Sequence, residues 1–237
     1  MSPRAPDRAA WLAAPPGPLN SAVFWPFWVG CGAGLRLWFR LRVEGPRPPR
    51  GPVVLAANHT SFLDPLVLGA ALPRRVTFLM TEVIWRSPVM GWFYRWNHAI
   101  PLAQRGGNRD ALRAARSVLQ QGRVIGIFPE GGISRDGGLL LGSPGAVSLV
   151  LGEGVPIVPV GIVGADRALP PDKALPRPRR ITVRFGAPIA PGELEALHGD
   201  RKGRLQAATT TIMARIAALC ERTPREQELL GAAPDDA

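Results

Sequence analysis

One histidine and one aspartate stand five residues apart beside a short apolar run, in a chain with three histidines. His59 and Asp64 lie in NHTSFLDP, directly after PVVLAA. On one regular helix this spacing turns the side chains about 140° apart, so we expect His59 in a loop and Asp64 at the start of the next helix. The carboxylate then binds one ring nitrogen and leaves the other as a general base. Such a base could deprotonate a substrate hydroxyl, since no enzyme hydroxyl is required.

Each of these two residues also has a simpler interpretation when it is taken alone. His59 could be a structural histidine with its hydrogen bonds satisfied. Asp64, followed by Pro65, has the pattern of a helix N-cap with proline in the first turn. The other motifs of the chain therefore have to decide between a catalytic pair and two unrelated structural residues.

Strand-like and helix-like segments alternate from residue 52 onward. Strands are expected at 52–57, 76–80, 123–128, 156–163 and 181–185, and helices at 87–96, 108–122, 143–154 and 204–222. The alternation predicts an α/β fold with a mostly parallel or mixed sheet flanked by helices. Ligands of such folds bind at the carboxyl ends of strands. NHTSFLDP, the region of Arg105 and FPEGGISRDG should therefore converge on one edge of the sheet.

The N-terminal region is apolar and rich in tryptophan. Residues 9–35 carry no charged side chain, but prolines and glycines interrupt them. Trp25, Trp28 and Trp38 share this region with arginines at 36, 40 and 42, and aromatics beside arginines are typical of a helix at a membrane interface. We expect a membrane-associating aromatic helical segment, attached in the plane of the bilayer or re-entrant. A single span and a helix folded onto the core are the alternatives.

The net charge indicates the class of partner, and the cysteines indicate the redox compartment. The net charge of +11 favours anionic partners, which include nucleic acid, anionic lipid head groups and phosphorylated metabolites, although a merely basic surface has the same composition. No nucleic-acid-binding motif is recognisable, so we expect no nucleic acid and favour an anionic membrane surface. Cys31 and Cys220 are far apart and have no metal-site spacing, which fits a reduced cytosolic compartment and no bound metal.

Four blocks, in order, resemble the 1-acyl-glycerol-3-phosphate acyltransferase (lysophosphatidic acid acyltransferase) family over roughly residues 40–190. The first block is NHTSFLD, and the second ends at Arg105 in AIPLAQRGG. The third is FPEG at 128–131, and the fourth is VPIVPV at 155–160. Each block is weak evidence alone, whereas the ordered set is specific.

The resemblance implies an O-acyltransferase that moves a fatty acyl group from a thioester to the free hydroxyl of lysophosphatidic acid and so forms phosphatidic acid. His59 would be the base, and Asp64 would stabilise the imidazolium. The resemblance implies substrate-binding roles for Arg105, Glu130 and Gly131, and we predict the same role for Arg135, which lies outside the family pattern. It implies no cofactor, and the acyl donor would be acyl-CoA or acyl carrier protein.

One departure from the family pattern concerns the third block. The family usually carries Thr-Arg after Glu-Gly, whereas this chain has Gly132 and Ile133, with Arg135 two places later. Arg135 could bind the acceptor phosphate through a changed loop, or it could be a solvated charge. The acceptor could then be another lysophospholipid or a glycolipid, and a non-catalytic lipid-binding relative is a further alternative.

These observations predict a domain plan and a location. We expect an N-terminal extension with the membrane-associating segment at 1–43, an acyltransferase domain at 44–222 and a tail at 223–237. The expected location is the cytoplasmic face of the cell membrane, as a peripheral or monotopic protein. The sequence leaves the oligomeric state open.

Overall fold

The computed structural model describes residues 8–88, 91–103, 107–148 and 150–222. The helices of this part of the chain are α1 (Arg8–Ala13), α2 (Pro18–Trp38), α3 (Asp64–Ala70), α4 (Glu82–Trp85), α5 (Gly91–Trp96), α6 (Arg109–Gln120), α7 (Pro144–Ser148), α8 (Ala165–Ala168), α9 (Pro191–Glu195) and α10 (Arg201–Cys220). The strands are β1 (Arg42–Glu44), β2 (Val53–Ala57), β3 (Val76–Thr81), β4 (Ile100–Leu102), β5 (Val124–Ile127), β6 (Ile157–Val163) and β7 (Thr182–Phe185).

The strands form one seven-stranded sheet in the order β1-β7-β6-β2-β5-β3-β4. All neighbouring pairs are parallel except β6 and β7, which are antiparallel. This arrangement confirms the predicted α/β fold with a mostly parallel sheet. Every residue of the central strands β2 and β5 is buried, which explains their unbroken apolar sequences.

Helices cover both faces of the sheet. Val54 and Ala56 of β2 face a core that includes residues of α1, α6 and α10. Val53, Leu55 and Ala57 face the opposite core, which includes residues of α2, α3 and α8. Because side chains alternate along a strand, one five-residue segment supplies both cores.

Several elements of the structure differ from the predicted ones. β1 and β4 were not predicted, and each has three residues, too few to form a clear apolar pattern. The helix expected at 143–154 ends at Ser148. The domain plan stays a prediction, and its division between residues 43 and 44 falls within β1, whose residues pair with β7 in the sheet.

α2 runs without interruption through Pro26, although its prolines and glycines were expected to break the segment. The helix packs on α3, where the Trp28 Nε1–H donates to the Gly69 carbonyl at 3.2 Å and Arg36 donates to the Ala70 carbonyl at 3.1 Å. A side chain at position 69 would collide with the Trp28 ring, so glycine is required there. Within the described residues, the helices lack the combination of length and apolar content that crossing a membrane demands.

Candidate active site

The loop between β2 and α3 holds His59 against Asp64. The Nδ1 atom of His59 lies 2.9 Å from Oδ2 of Asp64, whose side chain is completely buried. The same oxygen accepts the backbone N–H groups of Thr60 at 2.6 Å and Ser61 at 2.8 Å. Asp64 begins α3, but its carboxylate turns back to the preceding loop and the helix N-cap is Leu63. The N-cap interpretation of Asp64 is therefore wrong: Asp64 lies inside the helix, and its Oδ2 binds three donors of the preceding loop.

This geometry sets the tautomer of the neutral His59 ring. Oδ2 of Asp64 acts as an acceptor for two backbone donors, so the neutral imidazole donates its Nδ1–H to the same oxygen and leaves Nε2 unprotonated. Burial raises the pKa of Asp64, and the hydrogen bonds from His59, Ser61 and Thr60 oppose that rise. The His59 side chain is 16% exposed, so it can be reached from outside.

Two phenylalanines support the His59 ring from one side. The Phe128 ring stacks on the imidazole with centroids 4.1 Å apart, and the Phe78 ring lies parallel to Phe128 at 6.0 Å. Phe78 reaches this position because Gly126 on the neighbouring strand has no side chain. A Cβ atom at position 126 would lie 2.6 Å from the Phe78 ring.

Glu130 and Ser134 hold the backbone of His59. The His59 N–H donates to Oε1 of Glu130 at 2.6 Å, and the His59 carbonyl accepts the Ser134 N–H at 2.8 Å. The other oxygen of Glu130 accepts the Leu140 N–H at 2.8 Å. Burial raises the pKa of Glu130 to about 7. Both carboxylate oxygens of Glu130 thus bind backbone groups, and one of them positions the loop that carries His59.

Asn58 fixes the start of the same loop to β6. Its side-chain amide donates to the Ile162 carbonyl at 2.9 Å, and its side-chain oxygen accepts the Ile162 N–H at 2.6 Å. The loop therefore leaves β2 in a direction set by the neighbouring strand.

A cavity of about 810 Å³ opens beside His59. The residues that line it include the polar or charged His59, Thr81, Arg135 and Asp172, together with Gly131 and Gly132. Its apolar wall is formed by Phe62, Phe78, Leu79, Met80, Val83, Ile84, Tyr94, Leu102, Phe128 and Ile133. A cavity lined by a histidine and by many apolar side chains can hold a reactive polar group together with a long hydrocarbon chain.

The predicted site residues divide into three groups. The structure brings His59, Asp64, Gly131 and Arg135 to the cavity or directly beside it. Glu130 contacts the backbone of His59 and does not line the cavity, while Arg105 lies outside the described residues. The positioning roles of the Phe128 ring and the Ser134 N–H were missed, although Phe128 stands within the FPEG block.

Comparisons with known proteins place these residues in a family. A family model described as Acyltransferase matches residues 40–163, just over half of the chain. A 1-acyl-sn-glycerol-3-phosphate acyltransferase of Chlamydomonas reinhardtii is 32% identical over 143 residues, which are 59% of this chain and 43% of that protein. The human lysophospholipid acyltransferase LPCAT4 is 36% identical over 132 residues, which are 52% of this chain and 24% of that protein.

A solved structure shares the fold. The 1-acyl-sn-glycerophosphate (LPA) acyltransferase PlsC of Thermotoga maritima matches with a TM-score of 0.64 at 22% identity, over 82% of this chain and 78% of that one. The chain spans less than half the length of the two curated relatives described above. The match of the family model includes NHTSFLD, FPEG and VPIVPV, and the chain belongs to the acyltransferase family.

Proposed function

We propose that this chain transfers a fatty acyl group from a thioester to the free hydroxyl of lysophosphatidic acid, giving phosphatidic acid. The observation that carries the proposal is the 2.9 Å contact between His59 Nδ1 and Asp64 Oδ2, with His59 lining a largely apolar cavity. The names of the algal and Thermotoga relatives support lysophosphatidic acid as the acceptor.

The proposed reaction uses one base and two substrates. Nε2 of His59 takes the proton of the acceptor hydroxyl as its oxygen attacks the thioester carbonyl. The new ester bond forms and the carbon–sulfur bond breaks. The imidazolium, stabilised by Asp64, returns its proton to the leaving thiolate and releases a free thiol. Acyl-CoA or acyl carrier protein would supply the thioester, and the step needs no cofactor or covalent acyl-enzyme.

Two arginines are proposed to bind the acceptor phosphate. Arg135 is exposed and lines the cavity with His59, so its guanidinium can reach a phosphate beside the reacting hydroxyl. Arg105 is assigned by resemblance to the second family block. The apolar wall of the cavity would hold the acyl chain.

The proposal is tested by thiol release and product analysis with radiolabelled acyl-CoA. We expect His59→Ala to lower kcat by about 10²–10⁴-fold, the usual contribution of a general base. His198→Ala is the matched control, because His198 is exposed after α9 and does not line this cavity. Undiminished transfer by a folded His59→Ala protein would refute the assigned base.

A different lysophospholipid or a glycolipid is the second candidate acceptor. Ile133 lines the cavity where the family pattern has an arginine, which favours a head group other than a bare phosphate monoester. The same assay, run with lysophosphatidic acid, lysophosphatidylcholine and a glycolipid, ranks the acceptors by kcat/KM. Loss of phosphatidic acid formation in Arg135→Ala, through a raised acceptor KM, supports the first candidate.

Association with a membrane, at the cytoplasmic face of the cell membrane, is part of this proposal. α2 exposes large apolar side chains along its length: Leu19, Val23, Trp25, Phe27, Val29, Leu37 and Trp38. Arg36 and Arg40 stand beside the last of these residues. An apolar face with arginines at one end matches a helix lying in the interface of an anionic bilayer.

A further inference from the structure

The segment between α8 and β7, residues 169–180, is an exposed basic loop that we name the rim loop. Its sequence is LPPDKALPRPRR, with prolines at four positions. Prolines restrict the backbone and lower the entropy lost when a loop holds one shape. Residues 172–180 are all exposed.

Backbone hydrogen bonds give the rim loop a closed base and a protruding tip. The Arg177 N–H donates to the Ala168 carbonyl at 2.7 Å, which joins the two ends of the protrusion. Inside it, the Lys173 N–H donates to the Pro170 carbonyl at 3.0 Å. Leu175 lies in the protruding part and is 80% exposed. The loop therefore presents a leucine to the surroundings from a fixed base.

The rim loop links the catalytic cavity to the end of α2. Pro171 and Asp172 line the cavity beside His59, and the Ser61 hydroxyl donates to the Leu169 carbonyl at 2.7 Å. At the other end of the loop, the Ile181 N–H donates to the Phe39 carbonyl at 3.0 Å. The exposed apolar residues Leu37 and Trp38 immediately precede Phe39.

The charges of the rim loop are largely uncompensated. Lys173 forms an ion pair with Asp172 at 2.9 Å. Arg177, Arg179 and Arg180 are exposed, and across the described ranges none of them has a carboxylate within ion-pair distance. Arg177 also interacts electrostatically with Asp172 beyond ion-pair distance. The three exposed guanidinium groups near Leu175 are complementary to lipid phosphates above an acyl layer.

We propose that the rim loop docks on an anionic bilayer, with Leu175 inserted among the lipids and Arg177, Arg179 and Arg180 at their phosphates. This contact would place the mouth of the catalytic cavity at the lipid surface, from which an acceptor can enter without crossing water. An acidic carrier protein is the competing occupant. The exposed Leu175 and the hydrogen bond that joins the end of the loop to Phe39, the residue after the exposed Leu37 and Trp38, favour lipid, because an acidic protein surface offers no apolar layer. Direct entry of the acceptor from the lipid matters only if the chain catalyses the proposed acyl transfer. Docking of the rim loop on the bilayer does not depend on that function.

The test measures co-sedimentation of the whole chain with vesicles of phosphatidylcholine containing one quarter phosphatidylglycerol. We expect Leu175→Glu to lower the partition coefficient by about tenfold, because apolar burial is lost and the added negative charge is repelled by the anionic vesicle. Arg177→Glu with Arg179→Glu should lower it by at least about fivefold, and less on pure phosphatidylcholine. The matched control is Lys202→Glu with Arg204→Glu, an equal charge change at exposed residues of α10. Equal losses in the control and the loop variants, or no loss in the loop variants, would overturn the proposal.

Activity assays separate this proposal from the proposed function. Each loop variant should keep wild-type thiol release with a short-chain acceptor dissolved as monomers, and lose rate only when the acceptor is embedded in vesicles. Unchanged vesicle binding together with a selective loss of activity with acyl carrier protein donors would assign the loop to the carrier protein and refute docking on lipid. Vesicle binding is measured without substrate, so the docking result is decisive even if the chain transfers no acyl group.

Discussion

His59 is fixed through its ring, its N–H and its carbonyl, and each contact comes from a different partner. Asp64 binds the ring nitrogen, Glu130 accepts the N–H, and Ser134 donates to the carbonyl. A base held in this way keeps its orientation without reorganisation during the reaction, which is the condition for efficient proton transfer. The acid of the pair determines the tautomer, and Glu130 determines where the backbone lies.

The burial of Glu130 predicts a pH dependence of stability. Its pKa is about 7 in the folded protein, against an ordinary value of 4.5, because burial disfavours the charge. Between these values the folded protein keeps a proton that the unfolded chain has released. The contribution to the free energy of unfolding is therefore complete below pH 4.5 and lost as the pH rises through 7, by up to about 3 kcal/mol.

Denaturant unfolding of the wild type and Glu130→Gln at pH 5 and pH 8 measures this term. Glutamine does not titrate, so the stability difference between the two proteins should shift in favour of the variant as the pH rises. Glutamine also offers one acceptor oxygen to two backbone N–H donors, so the variant should lose activity at every pH. A stability difference that is the same at both pH values would contradict the raised pKa.

At the scale of elements, the register of the sheet positions the two phenylalanine rings that stack beside His59. Phe78 of β3 pairs with Gly126 of β5, and Phe128 follows β5 directly. The order of contacts is Gly126, Phe78, Phe128 and then His59. Each of these rings can occupy its place because two neighbouring parallel strands are in this register.

Gly126→Ala tests the aromatic support. The added methyl group would lie 2.6 Å from the Phe78 ring, so the ring must move and the stack on His59 must change. We expect a stability loss of about 1–3 kcal/mol, typical of overpacking, together with a lower kcat. Gly30→Ala is the control, because no atom lies within 4 Å of the added group and a helix favours alanine. An unchanged melting temperature and kcat in Gly126→Ala would show that the stack can relax at no cost.

The sequence predicts those features of the fold that depend on residues close together in the chain, and it does not predict those that depend on how distant segments pair. The strands β2, β5 and β6 are recognisable because burial on both faces makes them continuously apolar. The pairing of His59 with Asp64 is also local, since five residues separate them. The approach of Phe78 to Gly126 depends on the sheet register, and the continuity of α2 through Pro26 is another feature that the local pattern did not predict. No local pattern in the sequence encodes the contact between Phe78 and Gly126.

At the scale of the whole molecule, two kinds of surface are combined. α2 supplies exposed apolar side chains, and the rim loop supplies unpaired arginines, with the two joined where Ile181 binds the Phe39 carbonyl. The net charge of +11 adds a long-range attraction to anionic surfaces. Apolar burial and charge attraction respond differently to salt, so their contributions to membrane binding are separable.

Measuring vesicle binding at increasing salt concentration separates the apolar contribution from the electrostatic one. Wild-type binding to anionic vesicles should weaken as ionic strength rises from about 0.05 to 0.5 M, because the Debye length falls well below 10 Å. Val29→Ser with Leu37→Ser on α2 should weaken binding by a similar factor at every salt concentration and leave the slope unchanged, since both side chains are exposed and apolar. Arg177→Glu with Arg179→Glu should instead flatten the slope and approach wild-type binding at high salt. If the α2 variant flattened the slope and the loop variant did not, the assignment of apolar contact to α2 and phosphate contact to the rim loop would be reversed.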